Sequence, residues 1–303
     1  MVRARIIELA GEGDDRVLAR ASYALAAGSE GELIAAYDLA GTSPLDLSGN
    51  EFGQVVIGND GANILYGRAG DDTLYGLGGN DFIDGGTGAD RMYGGTGDDV
   101  FVVDGAADQV ISLAGEGNDR VLAKLNYTLE AGSEVELVAA YDLAGTSYFY
   151  LFGNEFGQVV IGNDGTNYLN GLGGDDTIYG LGGDDTLVGG AGNDVLSGGA
   201  GADQFQFNSA LGAGNVDQIL DFTSGTDKIV LDDAAFAWLA LGALPASAFV
   251  AGAAALDADD RIIYNAATGQ LYFDADGNGA GAAIEFARLD PATPLTAGDF
   301  NVI

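Results

Sequence analysis

Aspartate recurs at intervals of nine residues in two glycine-rich stretches, and this spacing is the feature of the sequence that could do chemistry. Each block of nine opens with glycine, places aspartate or asparagine sixth and an apolar residue eighth. The sixth positions are Asn63, Asp72, Asp81, Asp90 and Asp99 in the first array and Asn167, Asp176, Asp185, Asp194 and Asp203 in the second. Carboxylate oxygens repeated in this way favour Ca²⁺ over transition metals as a partner.

The nine-residue period also predicts how these side chains are positioned. Glycine at this density excludes a helix, and the period is typical of a flattened parallel β-coil with two blocks per turn. Residues two blocks apart then stack at strand spacing, roughly 4.8 Å. Eighth-position side chains point inward as a thin core, whereas sixth-position side chains stack at the turns. We therefore expect an all-β fold, a parallel β-roll or β-helix solenoid with two arrays and a small β-rich C-terminal cap.

Stacked carboxylates repel one another unless a cation lies between them. The stacked partners are Asn63–Asp81, Asp81–Asp99 and Asp72–Asp90, then Asn167–Asp185, Asp185–Asp203 and Asp176–Asp194. We expect about three calcium ions per array, each with about six to eight oxygen ligands. Turn carbonyls would complete the sites, such as those of Gly76, Gly85, Gly94, Gly180, Gly189 and Gly198. Sites with asparagine should be weaker, and the alternative interpretation is that all these residues only cap turns.

The composition excludes several classes of function. The chain has 46 acidic and 11 basic residues, a net charge of −35, which disfavours nucleic acid and anionic membranes as partners. A hydrophobic content of 47% argues against disorder. The sequence lacks histidine and cysteine, which removes histidine-based catalysis, cysteine nucleophiles, disulfides and ordinary zinc sites. No catalytic residues are predicted, and no apolar run is long enough to span a membrane as a helix.

A longer duplication organises the whole chain. The segment that begins at Ala10 returns at Ala114, and GNEFGQVVI at 49–57 returns at 153–161, each 104 positions later. In that block Gln54 and Gln158 replace the carboxylate, so we expect a coil turn without a metal. We predict a first unit over 1–103, a second over 104–207 and a C-terminal region over 208–303.

The C-terminal region contains one further candidate site. Asp274, Asp276, Asn278 and Glu285 satisfy the spacing of an EF-hand loop. Because the flanking residues are typical of strands, a β-hairpin turn is the favoured interpretation. We also expect one short helix over residues 233–242, which contain the single tryptophan, Trp238.

The nonapeptide blocks resemble those of the RTX (repeats-in-toxin, hemolysin-type) β-roll. The resemblance implies that the sixth-position residues and the glycine-turn carbonyls hold calcium. The tail from Gly201, ending in Asp299-Phe-Asn-Val-Ile303, is similar to the C-terminal region of RTX proteins exported by type I secretion. This implies a type I exporter as a partner and an extracellular location, by Gram-negative export without an N-terminal signal peptide.

We expect a secreted calcium-binding module without catalysis of its own, the C-terminal part of a larger protein. The N-terminus supports this, because residues 6–10 align with 110–114, which follow an array. One alternative is a polysaccharide lyase or epimerase module that uses aspartate and the outward residues Tyr66, Tyr75 and Tyr93. Another is an adhesin or surface-layer repeat, rigidified by calcium and in contact with the cell surface or a polysaccharide.

Overall fold

The computed structural model describes residue 13 and residues 15–303. The predicted start in mid-unit at residues 6–10 lies outside this range. Regular structure in the described residues is β-strand apart from two 3₁₀ helices, Ala246–Ala248 and Ala297–Asp299, so the predicted all-β class is confirmed. None of the helices found there has the length and apolarity needed to cross a membrane.

Residue contacts divide the chain into unit 1, Met1–Tyr141, and unit 2, Asp142–Ile303. The strands of unit 1 are β1 (Arg16–Ala19), β2 (Tyr23–Ala24), β3 (Leu33–Ala36), β4 (Asp46–Ser48), β5 (Val55–Ile57), β6 (Ile64–Ala69), β7 (Thr73–Gly78), β8 (Phe82–Thr87), β9 (Arg91–Thr96), β10 (Val100–Val103), β11 (Gln109–Ile111), β12 (Arg120–Ala123), β13 (Tyr127–Thr128) and β14 (Leu137–Ala140). The domain boundaries predicted from the duplication stay predictions.

The strands of unit 2 comprise those of the second array and those of the tail. They are β15 (Phe149–Phe152), β16 (Val159–Ile161), β17 (Asn167–Gly173), β18 (Thr177–Tyr179), β19 (Thr186–Ala191), β20 (Val195–Ser197), β21 (Gln204–Phe207), β22 (Asp217–Ile219), β23 (Lys228–Leu231), β24 (Gly242–Ala243), β25 (Phe249–Ala251), β26 (Ile262–Asn265), β27 (Gln270–Phe273), β28 (Ile284–Arg288) and β29 (Phe300–Val302).

In unit 1 the strands β1 to β12 alternate between two parallel sheets. One sheet has the order β1-β3-β5-β7-β9-β11, and the other includes β2-β4-β6-β8-β10-β12-β14. Within the array each residue lies opposite the residue two blocks later: Leu65 pairs with Ile83, and Ile83 pairs with Phe101. The predicted coil of two nonapeptides per turn is therefore confirmed.

Unit 2 repeats this arrangement and adds the tail strands to both sheets. Its array strands run β15-β17-β19-β21 and β16-β18-β20, all parallel. The sheet that contains β15, β17, β19 and β21 continues through β23 and β29 to the antiparallel β24. The sheet that contains β16, β18 and β20 continues through β22, β28, β27, β26 and β25. Antiparallel pairing of β26 with β27 and of β27 with β28 makes the tail a cap of hairpins.

The core is one side chain thick in each coil, as the eighth-position pattern predicts. These side chains are fully buried, with 0% exposure for Leu65, Leu74, Ile83, Met92, Phe101, Leu169, Ile178, Leu187, Leu196 and Phe205. Residues on either side of each core residue point outward because side chains alternate along a strand. Strand pairing and the turns at both edges therefore join successive coils around this thin core.

The second position adopts a left-handed backbone in eight of the ten nonapeptides, all but those that begin at Gly58 and Gly162. Leu77 has a φ of 83° and Leu172 a φ of 72°, which costs about 1–2 kcal/mol for an L-residue. One coil later this position is Gly95 or Gly190, where a β-carbon would overlap the carbonyl oxygen of Leu77 or Leu172. Among these left-handed positions, only the first in each stack can therefore have a side chain, and these are Arg68, Leu77, Leu172 and Leu181.

The helix predicted over residues 233–242 is wrong. The segment forms turns, in which the backbone N–H of Phe236 donates to the carbonyl of Asp232 at 2.9 Å. Phe236 is completely buried, with its ring centroid 5.0 Å from that of Phe286, whereas Trp238 is 82% exposed and has a φ of 78°. Burial of one aromatic ring in the tail core, rather than a helical apolar face, decides this conformation.

Candidate metal centre

The sixth-position side chains form hydrogen-bonded ladders along the coils. The backbone N–H of Asp72 donates to Oδ1 of Asp90 at 2.8 Å, and that of Asp81 donates to Oδ1 of Asp99 at 2.7 Å. Each ladder continues in this way from one coil to the next. The four ladders are Gln54–Asp72–Asp90–Asp108, Asn63–Asp81–Asp99–Asp119, Gln158–Asp176–Asp194–Asp217 and Asn167–Asp185–Asp203–Asp227. All six predicted stacked pairs are thus brought together.

In most aspartates within these ladders the second carboxylate oxygen, Oδ2, has no hydrogen-bond partner. Each of these aspartates is at most 2% exposed. Within the described part of the chain, the buried Oδ2 atoms without a hydrogen bond are those of Asp72, Asp81, Asp90, Asp99, Asp176, Asp185 and Asp194. A buried charged oxygen without a hydrogen-bond partner is strongly unfavourable, so a cation would stabilise each of these atoms.

The first-position glycines line the space beside these oxygens. A β-carbon on Gly76 would overlap Oδ2 of Asp81 and would lie 2.5 Å from the carbonyl oxygen of Gly94. Gly180 stands in the same relation to Asp185 and to the carbonyl oxygen of Gly198, again 2.5 Å away. Any side chain here would fill the space between a carboxylate and a carbonyl. The other predicted carbonyls lie equally close to the first-position glycine one coil earlier. These pairs are Gly58 with Gly76, Gly67 with Gly85, Gly162 with Gly180 and Gly171 with Gly189.

Burial raises the pKa values of the ladder carboxyls. The pKa of Asp99 is raised to about 8, with desolvation as the largest cause and the Asp81 and Asp119 charges adding to it. Desolvation likewise raises the pKa of Asp176 to about 8 and that of Asp72 to about 7, against backbone hydrogen bonds that lower both. Without a cation, these carboxylates are therefore costly to keep ionised near neutral pH.

The donor set fits a hard cation that takes its ligands from both side chains and backbone. In the described residues no group of three or more acidic side chains converges as a metal site by itself. Four turns instead place a partnerless carboxylate oxygen beside a glycine carbonyl of the next coil, those of Asp72, Asp81, Asp176 and Asp185. Oxygen ligands of mixed carboxylate and carbonyl origin suit Ca²⁺. The assignment of individual residues as ligands stays a prediction.

Each of the four ladders begins with an amide side chain, and these amides make their hydrogen bonds within their own turn. Oε1 of Gln54 accepts the backbone N–H of Asn50 at 3.0 Å, and its Nε2 donates to Oδ1 of Asn50 at 2.8 Å. Nδ2 of Asn63 donates to the carbonyls of Asn59 and Gly61. The amide N–H groups thus donate to oxygen atoms of the same turn, which a carboxylate cannot do. This geometry supports the prediction of a coil turn without metal at Gln54.

The nine-residue pattern did not identify the ladder residues that follow the nonapeptides. Asp108, Asp119, Asp217 and Asp227 lie outside the nonapeptides, yet each precedes a buried apolar residue by two positions, as in Asp108-Gln-Val110. That Asp-x-apolar signal could have identified them. Two of these rungs are closed by backbone donors, since Oδ2 of Asp227 accepts the N–H of Thr223 at 2.7 Å and Oδ2 of Asp108 accepts that of Gly105 at 2.9 Å.

The fifth position contributes a second set of hydrogen bonds that was also missed. Oδ1 of Asp71 accepts the backbone N–H of Ala89 at 2.9 Å, and Oδ1 of Asp184 accepts that of Ala202 at 2.8 Å. These acceptors bond to the following coil, whereas the sixth-position carboxylates bond to the preceding one. The exposed fifth position therefore joins neighbouring coils, and the alternative that the sixth-position residues only cap turns stays untested.

The predicted tail site lies in a hairpin. Asp274 and Asp276 follow β27, which pairs antiparallel with β28, the strand that contains Glu285. The Glu285 carboxylate already contacts Nε of Arg288 at 2.5 Å and Nε2 of Gln270 at 3.1 Å. Strands on both flanks agree with the favoured interpretation of a β-hairpin turn, and calcium binding by these residues, with Asn278, stays a prediction.

Comparison with known proteins identifies the repeats. A family model for the RTX calcium-binding nonapeptide repeat (4 copies) matches residues 48–83, 75–110, 84–121, 152–187, 161–196 and 179–208. Among solved structures the chain is similar to the solution structure of the AlgE6R3 subunit from the Azotobacter vinelandii mannuronan C5-epimerase, with 30% identity, 48% of this chain and 78% of that chain covered, and a TM-score of 0.33. No curated protein matches. Because both arrays match the repeat model and coil in register into a parallel β-roll, the chain belongs to the RTX proteins, whose nonapeptide repeats bind calcium.

Proposed function

We propose that the sixth-position aspartates hold calcium together with glycine-turn carbonyls, and that this binding drives folding. The partnerless Oδ2 atoms beside the first-position glycines are the observation that carries the proposal. Asp72, Asp90 and the carbonyl of Gly85 exemplify the ligands in one ladder. A bound Ca²⁺ would supply the positive charge that these oxygens lack, at about three ions per array. Asn63 and Asn167 would give weaker sites.

The energetics of the ladders make folding depend on the cation. The chain has a net charge of −35, and folding buries a series of its carboxylates within two coils of one another. In the absence of calcium, desolvation of those charges opposes folding. In its presence each bound ion stabilises the native state by RT ln(1 + [L]/Kd), so several sites act together.

This dependence suits a protein that is made in one compartment and works in another. At the low calcium of a cytosol the chain would stay largely unfolded and could pass through a type I exporter. At the higher calcium outside a Gram-negative cell it would fold. The tail that ends in Asp299-Phe-Asn-Val-Ile303 would be the part that the exporter reads. Cell fractionation separates this freely released protein from an adhesin or surface-layer repeat, which would stay with the cell.

We assign the module no catalytic residues. The enzyme alternative required clustered aspartates on an accessible face, and the ladder aspartates are at most 2% exposed. Of the outward tyrosines, Tyr75 and Tyr93 stack on each other at 4.8 Å, which is a packing contact. Absence of turnover on uronate polymers would agree with this assignment, and turnover that is lost on Tyr75→Phe would contradict it.

A calcium titration followed by circular dichroism and calorimetry tests the proposal. The purified chain in excess chelator should show little β-sheet signal and should gain it cooperatively as Ca²⁺ is added. Mg²⁺ should be much less effective, because it requires near-octahedral geometry and retains its water ligands. A compact β-sheet spectrum in chelator that calcium leaves unchanged would overturn the proposal.

A further inference from the structure

The duplication allows the two copies to be compared position by position, and one short segment of five residues differs at four of them. The stretches AGTS and GNEFGQVVIGNDG are identical in both copies. Between them the first copy reads Pro-Leu-Asp-Leu-Ser at 44–48 and the second reads Tyr-Phe-Tyr-Leu-Phe at 148–152. The inward leucine, Leu47 or Leu151, is unchanged and fully buried. The outward positions have changed from proline, aspartate and serine to aromatic residues.

These residues form an aromatic cluster on the surface of unit 2, made of Tyr148, Tyr150, Phe152 and Tyr168. The ring centroids of Tyr148 and Tyr150 lie 4.9 Å apart, those of Tyr150 and Tyr168 5.9 Å, and those of Phe152 and Tyr168 5.7 Å. Tyr148 is 52% exposed and Tyr150 39%. Mutual contact fixes the rings, so a ligand that stacks on them would lose little further side-chain freedom.

The cluster begins a straight row that crosses the strands. Tyr150 lies opposite Tyr168, Tyr168 opposite Thr186, and Thr186 opposite Gln204, with one residue contributed by each of β15, β17, β19 and β21. These four strands contain no acidic residue. In the first copy the corresponding position to Tyr150 is Asp46. The row thus offers ring faces, then a hydroxyl, then an amide, on a strip without negative charge.

We propose that this row is a binding site for a neutral polysaccharide. Aromatic faces stack on the apolar faces of sugar rings, and hydroxyl and amide groups hydrogen-bond to sugar hydroxyls. Tyr150 and Tyr168 would each take one sugar ring, and Thr186 and Gln204 would meet the hydroxyls further along the chain. An anionic polymer would be repelled by the net charge of −35. A protein partner would need about 800 Å² per side around an apolar centre, and this row is one residue wide.

Affinity electrophoresis in millimolar calcium tests the site with hydroxyethyl cellulose, dextran and laminarin as neutral probes. Carboxymethyl cellulose is the matched anionic probe. The variants take their residues from the first copy, which folds with them: Tyr150→Asp with Phe152→Ser, and separately Tyr168→Ile. We expect at least one neutral probe to retard the native chain, and either variant to weaken that binding about tenfold. Tyr75→Ala on unit 1 is the control and should bind as the native chain does.

Circular dichroism in calcium separates this inference from the folding proposal, because a variant that folds with calcium and does not bind has lost only the site. Retardation by none of the neutral probes would overturn the inference. Binding that survives both variants, or that is shown only by carboxymethyl cellulose, would overturn it as well.

Discussion

Oδ1 of Asp90 accepts the backbone N–H of Asp72 at 2.8 Å, while Oδ2 of the same carboxylate is buried without a partner. One oxygen therefore joins two coils by a hydrogen bond that needs no metal. The other is free to meet a cation. Under the proposed function, this division would let one residue per turn both set the register of the roll and make its stability depend on calcium.

Replacing Asp90 by asparagine should remove a calcium site and reduce the dependence of folding on calcium. The asparagine carbonyl can still accept from Asp72, and its NH₂ can donate to nearby carbonyls, as Asn63 does. We expect the chelated Asp90→Asn protein to be more stable than the native chain by about 1–3 kcal/mol, because a buried charge has been removed. The β-sheet circular dichroism signal in chelator and calcium calorimetry measure the two effects.

The matched control for Asp90→Asn is Asp71→Asn, at the exposed fifth position. Asparagine keeps the acceptor that bonds to Ala89, so calcium binding should be unchanged. Equal loss of bound calcium in the two variants would contradict the separate roles of the fifth and sixth positions.

The chelated protein should become more stable as the pH falls. Burial raises the pKa of Asp99 and Asp176 to about 8 and that of Asp72 to about 7, from 3.8 in the unfolded chain. Raised carboxyl pKa values mean that the folded state binds more protons, so this stability is fully present below pH 3.8 and is lost as the pH rises towards 8. We expect the β-sheet signal in chelator to increase between pH 8 and pH 5.

With saturating calcium the trend should reverse, because protons then compete with the cation for the same oxygens. Circular dichroism along a pH series, with and without calcium, measures both slopes. A chelated chain that is most structured at pH 8 would refute the prediction.

Placing a methyl group at a first-position glycine should disable the turn. In Gly76→Ala the new β-carbon would overlap Oδ2 of Asp81 and crowd the Gly94 carbonyl, so backbone has to move. We expect a loss of about 1–3 kcal/mol in calcium-loaded stability, together with weaker calcium binding. Gly214→Ala is the control, since nothing lies within 4 Å of its added carbon. That variant should stay within about 0.5 kcal/mol of the native chain.

The nonapeptide period was enough to predict most of the fold and the inner part of the candidate site. It predicted the register that pairs Leu65 with Ile83, and the carbonyls that meet the ladder, because both follow from identical coils. The period alone could not predict Asp119 or Asp227 as ladder residues, because the turns before them are longer than those of the repeat. The turns around Phe236 depend on tail packing, which no local pattern encodes.

The C-terminal strand should be needed for the stability of unit 2. β29 pairs with β23, with Ile229 opposite Phe300, and Phe300 is 1% exposed. Oδ1 of Asp299 accepts the backbone N–H of Gly225 at 2.8 Å, which fixes the start of this strand. We expect Phe300→Ala to lower the calcium-loaded stability by about 3–5 kcal/mol, since a large side chain is removed from the core.

Ile303→Ala is the matched control for Phe300→Ala, because Ile303 is 44% exposed and makes its hydrogen bonds through the backbone. Its stability should stay within about 1 kcal/mol of the native chain. Urea unfolding of the full chain in saturating calcium compares the two variants. If both variants unfold at the same urea concentration as the native chain, β29 contributes nothing to the stability of the roll, and the tail would then be an appendage instead of a cap on the second array.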